Sequence, residues 1–167
     1  MIGRRTAISG AGAALALAAA SAARGAPGAK TAMTERTAEH TPEQSAAVAG
    51  AMKCLDDFMT AFNARDVKAF EATFNFPSIR IASGKVVVIE PGYHKPQMFE
   101  TGALSDWDHS AWERREVIHA GADKVHIDTR FSRYRKDGSL IGGFDSIYVV
   151  TRVDGHWGVQ ARSSFAP

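Results

Sequence analysis

The spacing of apolar positions changes along the chain. Between residues 43 and 63, Val48, Ala51, Met52, Leu55, Phe58, Met59 and Phe62 recur every three or four residues, which lays them along one face of a helix. Asp66 fits the N-cap of a short second helix in which Phe70 and Phe74 stack one turn apart, and Pro77 is expected to end it. Residues 79–82 and 85–90 flank Ser83-Gly84 as a small hairpin. Pro91-Gly92 then turns the chain toward a third short helix around 96–104.

After Asp108 the period becomes two. Four runs follow, near 110–119, 124–135, 140–153 and 156–165, broken at Gly121-Ala122, Asp137-Gly138 and Asp154-Gly155. An Asp-Gly pair suits a type I′ hairpin turn, whose two central residues both need a positive φ. Helices followed by a meander predict an α+β domain, with the helices packed on one face of an antiparallel sheet.

Turn length sets register, and register decides which side chains share a face. Two-residue loops at 137–138 and 154–155 place Phe131 opposite Phe144, Thr129 opposite Ser146 and Ile127 opposite Tyr148. On the last strand, Val150 then meets Val159, Tyr148 meets Ala161, Ser146 meets Ser163 and Phe144 meets Phe165. The expected core face therefore carries Val125, Ile127, Phe131, Phe144, Tyr148, Val150, Trp157, Val159 and Phe165, crossed by a polar row of Thr129, Ser146 and Ser163. The opposite face holds His126, Asp128, Arg130, Asp145, Ile147, Val149 and Arg162.

The first 23 residues have a different texture: Arg4-Arg5, an uncharged Ala/Gly/Leu stretch, then Ala20-Ser21-Ala22 before Ala23. That order is expected of a secretory signal peptide, and the paired arginines resemble the twin-arginine export class. Residues 24–42 are polar, hold two prolines and read as a disordered linker, leaving 43–167 as the domain. The expected location is periplasmic or secreted, without a membrane span after cleavage. A disordered cytoplasmic leader is the competing reading.

Charge confirms how little the basic balance means. The chain has 20 basic and 18 acidic residues, and Arg4 and Arg5 account for the whole excess. No clustered basic surplus is left to suggest a nucleic-acid partner. A single cysteine, Cys54, allows neither an intramolecular disulfide nor a cysteine zinc site, and burial would keep it inert in an oxidising compartment. No phosphate-binding glycine loop, nucleophile elbow or His-Glu-x-x-His motif occurs, and no cofactor is expected.

The order of elements, together with Phe62-Asn63-Ala64-Arg65-Asp66 and Asp154-Gly155-His156-Trp157, resembles the nuclear transport factor 2-like superfamily, especially its SnoaL-like members. The resemblance spans roughly residues 44–165. It implies a cone-shaped α+β domain in which a strongly curved sheet wraps a pocket closed by the helices, commonly as a homodimer. Members include isomerases, dehydratases, polyketide cyclases, binding modules and partner domains, so fold does not fix function. The last strand, 157–163, lacks the histidines that many relatives carry after the tryptophan.

The candidate site follows from the expected register. A two-residue loop at Gly121-Ala122 sets Arg114 opposite Thr129 and Glu116 opposite Ile127, on the core side. An Arg and a Glu there need partners, because an isolated buried charge costs many kcal/mol. One reading is a pocket floor in which Arg114 meets an anionic or carbonyl group with Thr129, Ser146 and Ser163 beside it. Another is a bulge that swaps in Arg115 and Val117. Trp107 and His109 precede the first long strand, where the resemblance places the pocket mouth. Asp106 and Asp108 flank them, but adjacent Asp and His without a second cluster is a weak metal signal, and no metal is expected.

Three functions stay open. One is a binding module for a small hydrophobic or carbonyl-bearing ligand. Another is a lyase or isomerase with Glu116 as base and Tyr148 or Arg114 steadying an enolate-like oxyanion. The third is a homodimeric interaction domain that uses the outer sheet face and has no small-molecule site.

Overall fold

The computed structural model describes residues 40–82 and 84–167. The expected signal peptide and nearly all of the expected linker lie outside the described residues. Helix α1 runs Pro42–Asn63 and α2 runs Val67–Glu71; the strands are β1 (Phe74–Ala82), β2 (Lys85–Ile89), β3 (His109–Ala120), β4 (Lys124–Tyr134), β5 (Leu140–Val153) and β6 (His156–Ser164). In place of a third helix, 3-10 turns form at Pro96–Phe99 and Gly102–Leu104.

Thr41 opens α1 with a capping box: its hydroxyl accepts from Gln44 N–H while the Gln44 side chain accepts from Thr41 N–H. Asp66 caps α2 through the N–H of Ala69. Contrary to expectation, α2 stops at Glu71, six residues before Pro77, which sits inside β1. The pairing of β1 with β6 is interrupted between Phe74 and Ile79. A residue without an N–H is tolerated at such a break.

The six strands lie in the order β2-β1-β6-β5-β4-β3. All neighbours are antiparallel except β1 and β6, which run parallel. One end of the domain thus pairs with the other, a contact that local patterning cannot announce. The apolar face of α1 (Ala51, Cys54, Leu55, Phe58) packs on Val125, Ile127, Tyr148, Val150 and Val159. Each fully buried Leu, Ile or Val there contributes roughly 1.5–3 kcal/mol over an exposed one.

Both glycines at the closest crossings are sterically required. A Cβ on Gly50 would lie 2.3 Å from the Trp157 ring, and one on Gly158 would lie 2.6 Å from Asn75 N. Cys54 is 5% exposed, its Sγ 3.5 Å from the Thr73 carbonyl, and burial pushes its thiol up to about 12. It is an inert core residue.

Register holds on one hairpin and slips on two. Phe131↔Phe144, Thr129↔Ser146 and Ile127↔Tyr148 pair as expected. The turn itself differs: Arg135 N–H bonds the Ser139 carbonyl, leaving a loop of three residues, and a bulge at Ile141 absorbs the extra one. In β6, Val150↔Val159 is followed by Val149↔Ala161, so Gln160 is an extra residue. Beyond it the strand is inverted relative to expectation: Arg162 and Ser164 face inward, while Ser163 and Phe165 are exposed.

The β3–β4 turn centres on Ala122-Asp123, since Gly121 N–H bonds the Lys124 carbonyl. Bulges at Glu113 and Ile118 then give Trp112↔Phe131, Arg115↔Thr129 and Val117↔Ile127. The bulge alternative is the one found: Arg115 and Val117 take the inner side, while Arg114 and Glu116 take the outer one.

Candidate functional site

A cavity of about 460 Å³ opens between the C-terminal half of α1, α2, the start of β1 and the 93–104 segment. Its wall is aromatic. Phe58, Phe62, Phe70 and Phe74 pack with centroids 4.7–6.4 Å apart, in mostly tilted or edge-on pairs. Met98 and Leu104, from the two 3-10 turns, close the rim.

The polar lining comes from other elements: Ser78 and Arg80 of β1, His94 and Lys95 of the following loop, Arg133 of β4 and Arg162 of β6. Among the described residues no Asp or Glu lines it. A smaller void of about 20 Å³ adjoins it, sharing Phe58, Phe62, Arg133 and Arg162 and adding Ser110, Phe131 and Tyr148. That is room for roughly one water or one ligand oxygen.

The three arginines are held differently. Arg133 is only 6% exposed and makes no side-chain hydrogen bond among the described residues. Its guanidinium carbon lies 5.7 Å from the Phe131 ring and 5.2 Å from Phe144. Burial first, then Arg162 and Arg80, pushes its pKa down to about 10, so it stays charged at neutral pH. Arg162 lies 5.3 Å from both the Phe131 and Tyr148 rings and donates once, to Ser164 Oγ. Arg80 donates to the main-chain oxygen of Pro167 at 3.3 Å.

His94 faces the cavity with its ring 4.9 Å from Phe70 and 5.1 Å from Phe74. Its Nδ1 lies 3.3 Å from Glu71 Oε1, and the Glu71 carboxylate also accepts from the N–H groups of Gly92 and His94. Burial lowers the His94 pKa more than Glu71 raises it, so the neutral imidazole prevails at pH 7.

The residues expected to form the site are dispersed. Thr129 Oγ1 donates to the Ser146 carbonyl, and Ser146 Oγ lies 2.8 Å from Ser164 Oγ. The polar row thus satisfies itself inside the sheet and does not border the cavity, and Ser164 stands where Ser163 was expected. Arg114 is on the outer face, 2.7 Å from Asp128 and 3.5 Å from Asp145, with the exposed Glu116 3.8 Å away.

Tyr148 is fully buried on the inner face, so the sheet separates it from Glu116. Trp107 braces the rim from behind: it stacks on Phe99, meets Phe62 at a tilt, carries Arg65 over its ring and donates to Ser110 Oγ. His109 lies in the open over Tyr134, beside Asp108.

Arg80, Arg133, Arg162 and His94 were not among the expected residues. Arg133 was readable, because alternation carried one step past Phe131 points it inward. Arg162 was hidden by the Gln160 bulge. Arg80 sits between two apolar residues, Ile79 and Ile81, that turn out to face outward. His94 lies in a loop, where periodicity is silent.

An antiparallel-dominated curled sheet with helices over its concave face, enclosing an aromatic cavity, defines an NTF2-like, cystatin-like domain. The chain matches the family NTF2-like protein (DUF6841) over residues 45–164 and belongs to it.

Solved structures agree on the fold. An NTF2-like protein with a cystatin-like fold from Novosphingobium aromaticivorans superposes with a TM-score of 0.60 at 8% identity, covering 73% of this chain and 82% of that one. A protein of unknown function with a cystatin-like fold from Nostoc punctiforme gives 0.59 at 13%, covering 76% and 93%. A ketosteroid isomerase-like protein from Erwinia carotovora atroseptica gives 0.55 at 16%, covering 75% and 97%. No curated protein matches the chain.

Proposed function

We propose that this domain binds a small, partly apolar molecule in the cavity between α1 and the sheet, with an oxygen-bearing end directed at the arginines. The observation that supports it most is Arg133: a guanidinium held at 6% exposure, with no hydrogen-bond partner among the described residues, beside open space. A group that costly to bury is normally satisfied, and an occupant of the cavity would satisfy it. The aromatic wall supplies the apolar contact that small-molecule sites use, and the few convergent polar groups supply orientation. In keeping with the leader sequence, we place this function in an exported protein.

The full chain should be titrated with N-phenyl-1-naphthylamine, a neutral fluorescent probe, and its melting followed. Saturable one-to-one binding with a rise in melting temperature supports the reading. Ala103 is an exposed residue on the cavity lining, so Ala103→Trp should block binding with little cost to the fold. Failure of the probe to bind would overturn the reading.

The outer sheet face supports a second assignment, a homodimer contact. Ile79 and Ile81 of β1 pair with Val88 and Val86 of β2, and all four are 42–67% exposed. Ser163 of β6 joins Ile81 to Ile147, itself 46% exposed. A contiguous apolar strip beside the Arg130–Asp145–Arg114–Asp128 network suits a self-complementary two-fold contact.

A further inference from the structure

We infer that the cavity's ligand is an organic anion, an aromatic carboxylate or sulfonate whose charged end lies against Arg133 and Arg162 and whose ring lies on Phe58, Phe62 and Phe70. This inference rests on the ligand-binding reading and narrows it to a chemical class.

The charged side chains that line the cavity, Arg80, Lys95, Arg133 and Arg162, are all basic. Arg80 and Arg162 are direct neighbours on the β1–β6 ladder, an arrangement of like charges that destabilises a sheet. Arg133 completes the group from β4, and the mutual repulsion of the three adds to burial in lowering its pKa. On the rest of the sheet four arginines are paired with carboxylates: Arg114 with Asp128, Arg115 with Asp56, Arg130 with Glu113 and Asp145, and Arg152 with Asp123.

The three cavity arginines have no such carboxylate partner among the described residues, and unlike Arg65 and Arg135, which each donate to two acceptors, they make at most one side-chain hydrogen bond each. Glu71, which meets the lining residue His94, is already engaged by the His94 ring and two backbone N–H groups.

The donors are also underused. A guanidinium offers five N–H donors, yet among the described residues Arg133 uses none and Arg162 and Arg80 one each. The Nε atoms of Arg133 and Arg162 are both buried without partners among the described residues. These two residues border the main cavity and the small void alike, so a planar carboxylate at their junction can accept from both forks. Guanidinium–carboxylate geometry favours this over a point cation's contact. A neutral carbonyl would leave the clustered positive charge uncompensated, and a cationic ligand would add to it.

The test compares 8-anilinonaphthalene-1-sulfonate with N-phenyl-1-naphthylamine, which has the same rings without the sulfonate, on the full chain at low ionic strength. The sulfonate should bind at least tenfold more tightly. Arg133→Met should bring its affinity to that of the neutral probe, whose own binding should not change. Should Arg133→Met fail to fold, Arg162→Met, which removes the other guanidinium at the junction, serves for the same comparison.

Equal affinity of the two probes for the native protein would overturn the anion inference and leave the cavity reading standing. Binding of neither would overturn both. A sulfonate preference that survives Arg133→Met and Arg162→Met would place the charge elsewhere and overturn the assignment to these two arginines.

Discussion

Arg133→Met should stabilise the ligand-free protein. The guanidinium is held at about 10, more than two decades below an ordinary arginine. At about 1.4 kcal/mol per decade, keeping it charged costs ~3 kcal/mol. Methionine has similar reach, fills irregular space and carries no charge. Against the gain stand two cation–π contacts, to Phe131 and Phe144, worth about 0.5–1 kcal/mol each. The expected balance is a gain of ~1–2 kcal/mol, consistent with cases in which apolar residues replace buried charges. In a domain of this size each kcal/mol raises Tm by roughly 3–6 °C.

Urea midpoints in a buffer with little added anion measure the effect, and Arg133→Lys, which keeps the charge, should not gain. A loss above ~1 kcal/mol in Arg133→Met would show that the guanidinium is satisfied in the native fold, and the reasoning would fail.

Other expectations follow from the same geometry. Ser146→Val should cost about 1–3 kcal/mol in urea unfolding, because Ser146 Oγ bonds Ser164 Oγ in a closed layer; a negligible loss would mean the row is wet. His94, surrounded by Phe70, Phe74, Glu71, Tyr93 and Arg80, has its pKa depressed by burial. Its contribution to stability is therefore complete above about pH 6.5 and is lost as pH falls below that, through its folded value. His94→Gln should flatten that part of the stability profile, and an unchanged slope would refute the role. Ile81→Asp should convert a dimer to a monomer in light scattering without changing probe binding in the cavity; a wild-type monomer at high concentration would refute the dimer assignment.

The sequence disclosed periodicity well and breaks in periodicity poorly. The face of α1, the Asp66 cap, the hairpin at 82–85 and the Phe131–Phe144 register all follow from local spacing, and each is present. The two signature runs are also explained. Asn63 exchanges two hydrogen bonds with Ser110, and Arg65, at φ +57°, donates to the carbonyls of Trp107 and Asp108. Asp154 and Gly155 supply the two positive φ values of the last turn, and His156 bonds Asn75 and Ala72.

What escaped was one residue at a time. An extra residue at Glu113, Ile118 or Gln160 leaves hydrophobic spacing almost intact over a whole strand. It nevertheless reverses every side chain beyond it. Those reversals moved Arg114 and Glu116 out and brought Arg162 in. The cavity also depends on the β1–β6 parallel pairing, which joins residues more than eighty positions apart.

The most direct measurement is a crystal structure of the full chain with 2-naphthoate. The account predicts the carboxylate within hydrogen-bond distance of Arg133 and Arg162, with the rings against Phe58, Phe62 and Phe70. A cavity that stays empty of naphthoate at saturating concentration, or a carboxylate bound away from these arginines, would contradict it.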